Sequence, residues 1–314
     1  MDYPQTVRIY EVGPRDGLQN EAQPISAQAK LEYIELLRAA GLREIEATSF
    51  VSPRAIPQLA DADEIMRVLT RDADKLVRYA VLVPNERGLE RAIAAGAKAL
   101  AVFTAASDAF TQRNIGMTID ESLDAFKPVL ERATGLGWWM RAYVSTAFGC
   151  PFTGRVAPEK VVEVATRLIE LGADEICVGD TIGVGVPRQV RELTAALTES
   201  GLPLDRLAYH VHDTRGTALA NVVTALETGV TCFDASAGGT GGCPYAPGAA
   251  GNLATEDLVY MLDGMGIQHG VSLAGVLSAA RFIADALGRP LSSKVGQAGG
   301  WDALTGARTL SAEA

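Results

Sequence analysis

The chain has 314 residues, of which 48% are hydrophobic and 21% charged, and it carries a formal net charge of -10. This is the composition of a globular protein able to bury a sizeable core, and it excludes extensive disorder. The acidic balance excludes a broad phosphate-tracking surface, so nucleic acid is not an expected partner. No apolar stretch is long and unbroken enough to span a bilayer, so no membrane association is expected either. Neither an arginine-rich leader nor a signal-like apolar segment precedes the first strand-like run, which makes a cytoplasmic location the expectation. Cys150, Cys177, Cys232 and Cys243 lie far apart without a CxxC pair, which argues against a zinc knuckle and a disulfide framework.

In chain order, short apolar and often β-branched runs alternate with longer amphipathic stretches. The runs are Val7 to Val12, Glu44 to Ser49, Val77 to Val83, Ala99 to Thr104, Trp139 to Ser145, Glu175 to Gly179, Leu207 to His212 and Cys232 to Ala237. Between them the pattern predicts helices over Ser26 to Ala40, Glu86 to Ala95, Asp120 to Ala133, Pro158 to Leu171, Pro187 to Thr198 and Thr217 to Thr228. Several of these open on Ser, Asp or Pro and close at a glycine such as Gly41, Gly96, Gly172 or Gly229. Eight βα units in succession predict an α/β fold, a closed (β/α)8 TIM barrel, over residues 1–271. Residues 272–314 read as a C-terminal helical extension packed on the barrel, with a helix over Leu273 to Leu287 and flexible last residues.

In such a barrel the chemistry sits at the C-terminal ends of the strands. The first strand ends in Gly13-Pro14-Arg15-Asp16-Gly17, which by itself reads equally as an Asx turn with a solvated arginine. The second carries Glu46 within an apolar run, where a carboxylate needs a polar partner. The sixth ends at Gly179-Asp180-Thr181, and the seventh at His210-Val211-His212, two of the three histidines in the chain. Residues two apart on a strand share a face, so both imidazoles converge, as core groups or as metal ligands. After the eighth strand comes the loop Gly238-Gly239-Thr240-Gly241-Gly242-Cys243-Pro244-Tyr245, which reads as a phosphate cradle or, better with a thiol at its centre, as a lid that brings Cys243 in to carry a proton.

With these residues in hand, the chain resembles the 3-hydroxy-3-methylglutaryl-CoA lyases of the DRE-TIM metallolyase superfamily almost from end to end. The resemblance is carried by Glu11 to Glu21 (EVGPRDGLQNE), Thr48 to Pro53 (TSFVSP), Gly179 to Gly185 (GDTIGVG), Gly241 to Tyr245 (GGCPY) and Gly251 to Asp257 (GNLATED). It implies a divalent cation, Mg²⁺ or Mn²⁺ before Zn²⁺, held by Asp16, His210, His212 and Asn252, a nitrogen and oxygen ligand set that leaves positions open for substrate. It further implies that Arg15 stabilises an enolate, that Cys243 is an acid or base, that Glu46 and Asp180 arrange the polar site with Asp180 a partner in proton transfer, and that Gln19 and Lys294 meet the substrate. The implied reaction is cleavage of a 3-hydroxy acyl-CoA thioester into acetyl-CoA and a keto acid such as acetoacetate, by a dimer or larger homo-oligomer.

Three departures from the family pattern bear on the acyl group. Arg215 replaces a tyrosine just past the histidines, offering a fork suited to a carboxylate. Ala22 stands where a lysine is common, and Gly239-Thr240 replaces an apolar pair. None touches the implied metal set, so a lyase for another 3-hydroxy acyl-CoA is the alternative reading. A condensing synthase of the same superfamily fits less well, because the cysteine loop resembles the lyases. A non-catalytic barrel fits least, since Asp16, His210, His212 and Asn252 are all present.

Overall fold

The structure is a computed structural model that describes residues 3–71, 76–242 and 251–300. Among the described residues ten strands are formed: β1 (Arg8–Glu11), β2 (Glu44–Ser49), β3 (Arg78–Leu82), β4 (Ala99–Ala105), β5 (Trp139–Ser145), β6 (Gly149–Cys150), β7 (Gly154–Arg155), β8 (Glu175–Asp180), β9 (Leu207–Val211) and β10 (Cys232–Ala235). Eight of them close into a parallel barrel in the order β1-β10-β9-β8-β5-β4-β3-β2, while β6 and β7 form a separate antiparallel hairpin after β5. All eight runs read from the sequence are barrel strands, so the TIM-barrel expectation holds. The helices Glu86–Ala94, Ile119–Gly135, Pro158–Glu170 and Pro187–Glu199 stand where the amphipathic pattern placed them.

The strand period sorts side chains into two cores. One alternate set packs outward under the helices, including Ile9, Ile45, Val81, Leu100, Val144 and Ile176. The other set points into the barrel and is mostly small: Ala80, Ala99, Ala101, Cys177, Ala208 and Cys232, with Tyr10 and Tyr143 as its large members. Arg141, His210 and Asp234 share that inward parity and are buried. Small residues along the lumen leave volume for these polar groups, which a lumen of Leu and Ile would fill.

The region after β10 is tied back to the barrel by its acids. Asp257, in the helix Thr255–Met265, accepts hydrogen bonds from Ser293 Oγ at 3.0 Å, Lys294 N at 3.0 Å and Val295 N at 2.7 Å, which seats the short helix Lys294–Ala298. The helix Leu273–Leu287 is capped by Ser272 and packs against the first helix, Ala27–Ala39. The expectation of flexible last residues lies outside the described residues. Cys150, Cys177 and Cys232 are buried free thiols. Among the described residues no helix is long and apolar enough to cross a membrane.

Candidate active site

The C-terminal ends of the strands open into a cavity of about 500 Å³ lined by Arg15, Asp16, Gln19, His210 and His212, with Leu82, Phe103, Phe110 and Ile115 as apolar wall. Arg15 and Asp16 arrive on the turn Gly13–Gly17, whose backbone folds onto the carbonyl of Val12. Underneath, the fully buried Glu11 accepts from Gly13 N and Ala237 N, both at 2.9 Å, and from Thr255 Oγ1 at 2.6 Å. One carboxylate thus joins the end of β1, the start of the glycine loop and the helix beyond it.

Burial pushes Glu11 up to about 7 against the opposing pull of its three donors, Thr255, Ala237 and Gly13. The folded state therefore holds this proton more tightly than an unfolded chain whose glutamate titrates near its ordinary 4.5. The contribution to stability is fully present below the ordinary value and is lost as pH rises through about 7. Glu11→Gln keeps an acceptor for both amides and a group for Thr255, so it should flatten the fall of Tm that the wild type shows on going from mildly acidic to mildly alkaline buffer. Parallel Tm profiles for the two proteins would contradict this assignment.

Arg15 is held from two sides. Its Nε donates to Glu46, and its Nη1 donates to Asp16 Oδ1 at 2.7 Å. Glu46 is wholly buried and also accepts from the Tyr143 hydroxyl, whose ring lies 5.6 Å from the Arg15 guanidinium carbon. A register shift in β2 falls directly after Glu46, the kind of bulge that aims a side chain into a site. Tyr143 was not singled out in the sequence. Its signal was its position two residues past Arg141 in an apolar strand.

The two histidines converge as their spacing predicted. Their Nε2 atoms are 3.1 Å apart, and ligand atoms of Asp16, His210 and His212 all lie within 4.8 Å of one another. Asn252 is delivered by backbone pairing: Leu253 N donates to Val211 O at 3.0 Å and Asp213 N to Gly251 O at 3.1 Å, which sets Asn252 beside His212 as an antiparallel bridge. Gly251 has φ +87°, and a Cβ there would stand 2.2 Å from Gly241 O, so this crossing requires glycine. Asn252 Nδ2 donates to Asp16 Oδ2 at 2.8 Å and to Thr240 O at 2.9 Å. Its Oδ1 is buried with no hydrogen-bond partner among the described residues.

The electrostatics suit a cation. Burial alone would raise Asp16, but Arg15, His210, His212 and the Asn252 amide outweigh it and hold the carboxyl at about 2. Burial and the neighbouring His210 push His212 down to about 4, keeping its ring neutral. Burial pulls His210 down as well, and its hydrogen bond to Asp234 overcomes that and raises it. A converging anion, two imidazoles and an orphaned amide oxygen fit a divalent ion.

The remaining residues expected from sequence lie outside this cluster. Asp180 is spent on its own loop, accepting from Val184 N at 2.9 Å and Gly185 N at 2.8 Å, while its neighbours Gly179 and Thr181 line the cavity. Burial raises its pKa despite those bonds. Arg215 donates to Ile182 O at 2.8 Å and Gly183 O at 2.9 Å. Lys294 is exposed, with Nζ 3.5 Å from Ser292 O. Among the described residues neither Arg215 nor Lys294 lines the cavity. Cys243 lies outside the described residues, although Asn20 holds the adjacent Gly242 carbonyl at 3.0 Å.

Comparisons with known proteins show the family of the chain. A model of the HMGL-like family matches residues 6–283. The mitochondrial hydroxymethylglutaryl-CoA lyase of Bos taurus is 50% identical over 94% of this chain and 90% of its own length. The crystal structure of hydroxymethylglutaryl-CoA lyase from Pseudomonas aeruginosa superposes with a TM-score of 0.93 at 45% identity, covering 98% of this chain and 100% of that one. An HMG-CoA lyase from Acinetobacter baumannii, solved with coenzyme A and 3-methylmalate, gives a TM-score of 0.89 at 36% identity over 96% and 97% of the two chains. With a family model covering most of its length and relatives half identical across nine-tenths of it, the chain belongs to the HMGL-like family.

Proposed function

We propose that the protein is a divalent-metal-dependent carbon-carbon lyase that cleaves 3-hydroxy-3-methylglutaryl-CoA into acetyl-CoA and acetoacetate. The observation that carries this reading is the juxtaposition of a clamped guanidinium, Arg15, with the Asp16, His210 and His212 cluster on one cavity wall. Asp16, His210, His212 and Asn252 are the residues that would hold Mg²⁺ or Mn²⁺. Such an ion, when bound, supplies Lewis acidity to the tertiary hydroxyl and neighbouring oxygens of the substrate.

The protein's own residues account for the other half of the chemistry. As the 3-hydroxyl gives its proton to the proposed base, the thiolate of Cys243 on the glycine loop, C3 becomes the ketone of acetoacetate, the C2–C3 bond breaks, and its electron pair passes into the thioester as an enolate. Arg15, fixed by Glu46 and Asp16 before substrate arrives, donates to the enolate oxygen as negative charge develops there. C2 then takes up a proton to give acetyl-CoA, and Cys243 on the glycine loop is the proposed donor. Asp180, with both oxygens engaged by backbone amides, is assigned to shaping the loop that presents Thr181. Gln19 is the lining side chain proposed to meet the thioester arm, and Phe103 and Leu82 supply apolar wall to the same cavity. A cytoplasmic setting and assembly into a homo-oligomer belong to the same proposal.

The test is a panel of 3-hydroxy acyl-CoA thioesters assayed for release of the short acyl-CoA, which is acetyl-CoA where C2 is unsubstituted and propionyl-CoA from the 3-methylmalyl thioester, included because that acid occupies the A. baumannii relative. The highest kcat/KM is expected for 3-hydroxy-3-methylglutaryl-CoA. A preference of more than tenfold for another member would move the acyl assignment, and no acyl-CoA product from any member would overturn the lyase reading.

A further inference from the structure

A buried ion-pair array lies below the cluster, and nothing in the proposed chemistry uses it. Arg141 is fully buried in the lumen, its guanidinium carbon 3.8 Å from the centroid of the Tyr10 ring and 5.1 Å from that of Tyr143. It pairs with Glu175 at 2.9 Å and with Asp234 at 2.7 Å. Asp234 is directly opposite His210 in the β9–β10 register, and its other oxygen is 3.0 Å from His210 Nδ1. On its far side Arg141 Nη1 reaches the Tyr143 hydroxyl at 3.3 Å, and that hydroxyl donates to Glu46, the clamp on Arg15.

We infer that Asp234, anchored by Arg141, is a positioning residue that fixes the tautomer of His210, so that the ring presents the Nε2 lone pair to the cation site. The inference rests on the metal reading proposed above. An ionised carboxylate can only accept, so its contact with Nδ1 obliges that nitrogen to carry the ring proton. In the neutral ring Nε2 is then bare, and it is the atom that faces His212. Arg141 keeps Asp234 from swinging away by occupying the second oxygen, and the Glu175 pairing and the two tyrosine rings hold Arg141 itself. Carboxylate partners of this kind orient ligating imidazoles, and their loss costs about 10–100-fold in metal affinity. The same guanidinium supports both Asp234–His210 and Tyr143–Glu46–Arg15, so one buried charge sets the geometry of the cation site and of the enolate site together.

Asp234→Asn preserves shape but replaces one oxygen by a donor. The amide turns its oxygen toward Arg141, whose donors repel the NH2 group, and the NH2 then donates to His210 Nδ1, moving the ring proton to Nε2. Two readouts test this, neither of them turnover. The first is the tautomer of the neutral ring in the metal-free protein, read from long-range proton-nitrogen NMR couplings; with three histidines in the chain, the assignment is tractable. The wild type should carry the proton on Nδ1 and Asp234→Asn on Nε2. The second is Mn²⁺ affinity by electron paramagnetic resonance, which should weaken about 10–100-fold in the variant. A wild-type His210 protonated on Nε2 would overturn the inference without any variant, as would Asp234→Asn binding Mn²⁺ as tightly as the wild type. If the variant does not fold, the wild-type tautomer still decides. Asp16→Asn separates the two layers: Mn²⁺ binding to the wild type that is indifferent to Asp16 would remove the metal reading, whatever the tautomer proves to be.

Discussion

Arg15→Met should lower kcat by about 10³-fold or more while changing KM far less, because the guanidinium acts on charge that exists only as the bond breaks. Removing one neutral donor from an oxyanion site costs about 10²–10³ in kcat, and Arg15 offers a full charge in a water-poor cavity. The experiment has a structural confound. Arg15 is the cation paired with the wholly buried Glu46, and stripping one partner from a buried pair destabilises a protein by about 3–5 kcal/mol. The double variant Arg15→Met/Glu46→Gln removes that confound, since a neutral amide needs no counter-charge and can still accept from Tyr143. The double variant should recover most of the lost Tm and none of the lost rate. Recovery of rate together with Tm would mean that Arg15 serves the fold alone, and a kcat within tenfold of wild type in the single variant would remove it from the chemistry.

The parts of this site that were legible in the sequence are those fixed by strand periodicity. His210 and His212 had to share a face, and a run as apolar as Leu207 to Val211 had to be a barrel strand, so their convergence followed from spacing alone. Glu46 was visible for a related reason, a carboxylate that an apolar run could not bury without a partner, and Arg15 and Tyr143 are those partners. The same argument applied to Arg141 and Asp234, each a charge inside an apolar strand, and would have found the array beneath the site. They stand inside the runs Trp139 to Ser145 and Cys232 to Ala237 rather than at the run ends, where the barrel rule places chemistry. Side chains on loops were harder. The directions of Arg215 and Lys294 depend on how the turns at 182–183 and 291–293 present carbonyls and hydroxyls, which residue identity does not encode. Asp180 illustrates the same limit: its place at a strand end was clear, and its capture by Val184 N and Gly185 N was not.

Stripping the protein of divalent ions should abolish acetyl-CoA release, and adding Mg²⁺ or Mn²⁺ should restore it. The ligand geometry says which residue matters most. Asp16 is the single anion among the four candidate ligands, and Arg15, His210 and His212 keep it ionised to about pH 2 against the cost of its burial. It stands ready for a cation throughout the working range. Asp16→Asn leaves the hydrogen-bonding outline nearly unchanged but removes the charge, so its loss of Mn²⁺ affinity should exceed the roughly 10–100-fold expected for a supporting residue. Because Asp16 also steadies Arg15 through the 2.7 Å contact, turnover alone could not separate the two roles. Direct Mn²⁺ titration can: a lost cation site appears as weak binding at every concentration, whereas a loosened Arg15 leaves binding intact and lowers kcat at saturating metal. Full turnover in chelated protein would remove the ion from the mechanism, and wild-type affinity in Asp16→Asn would show that the ion is held elsewhere.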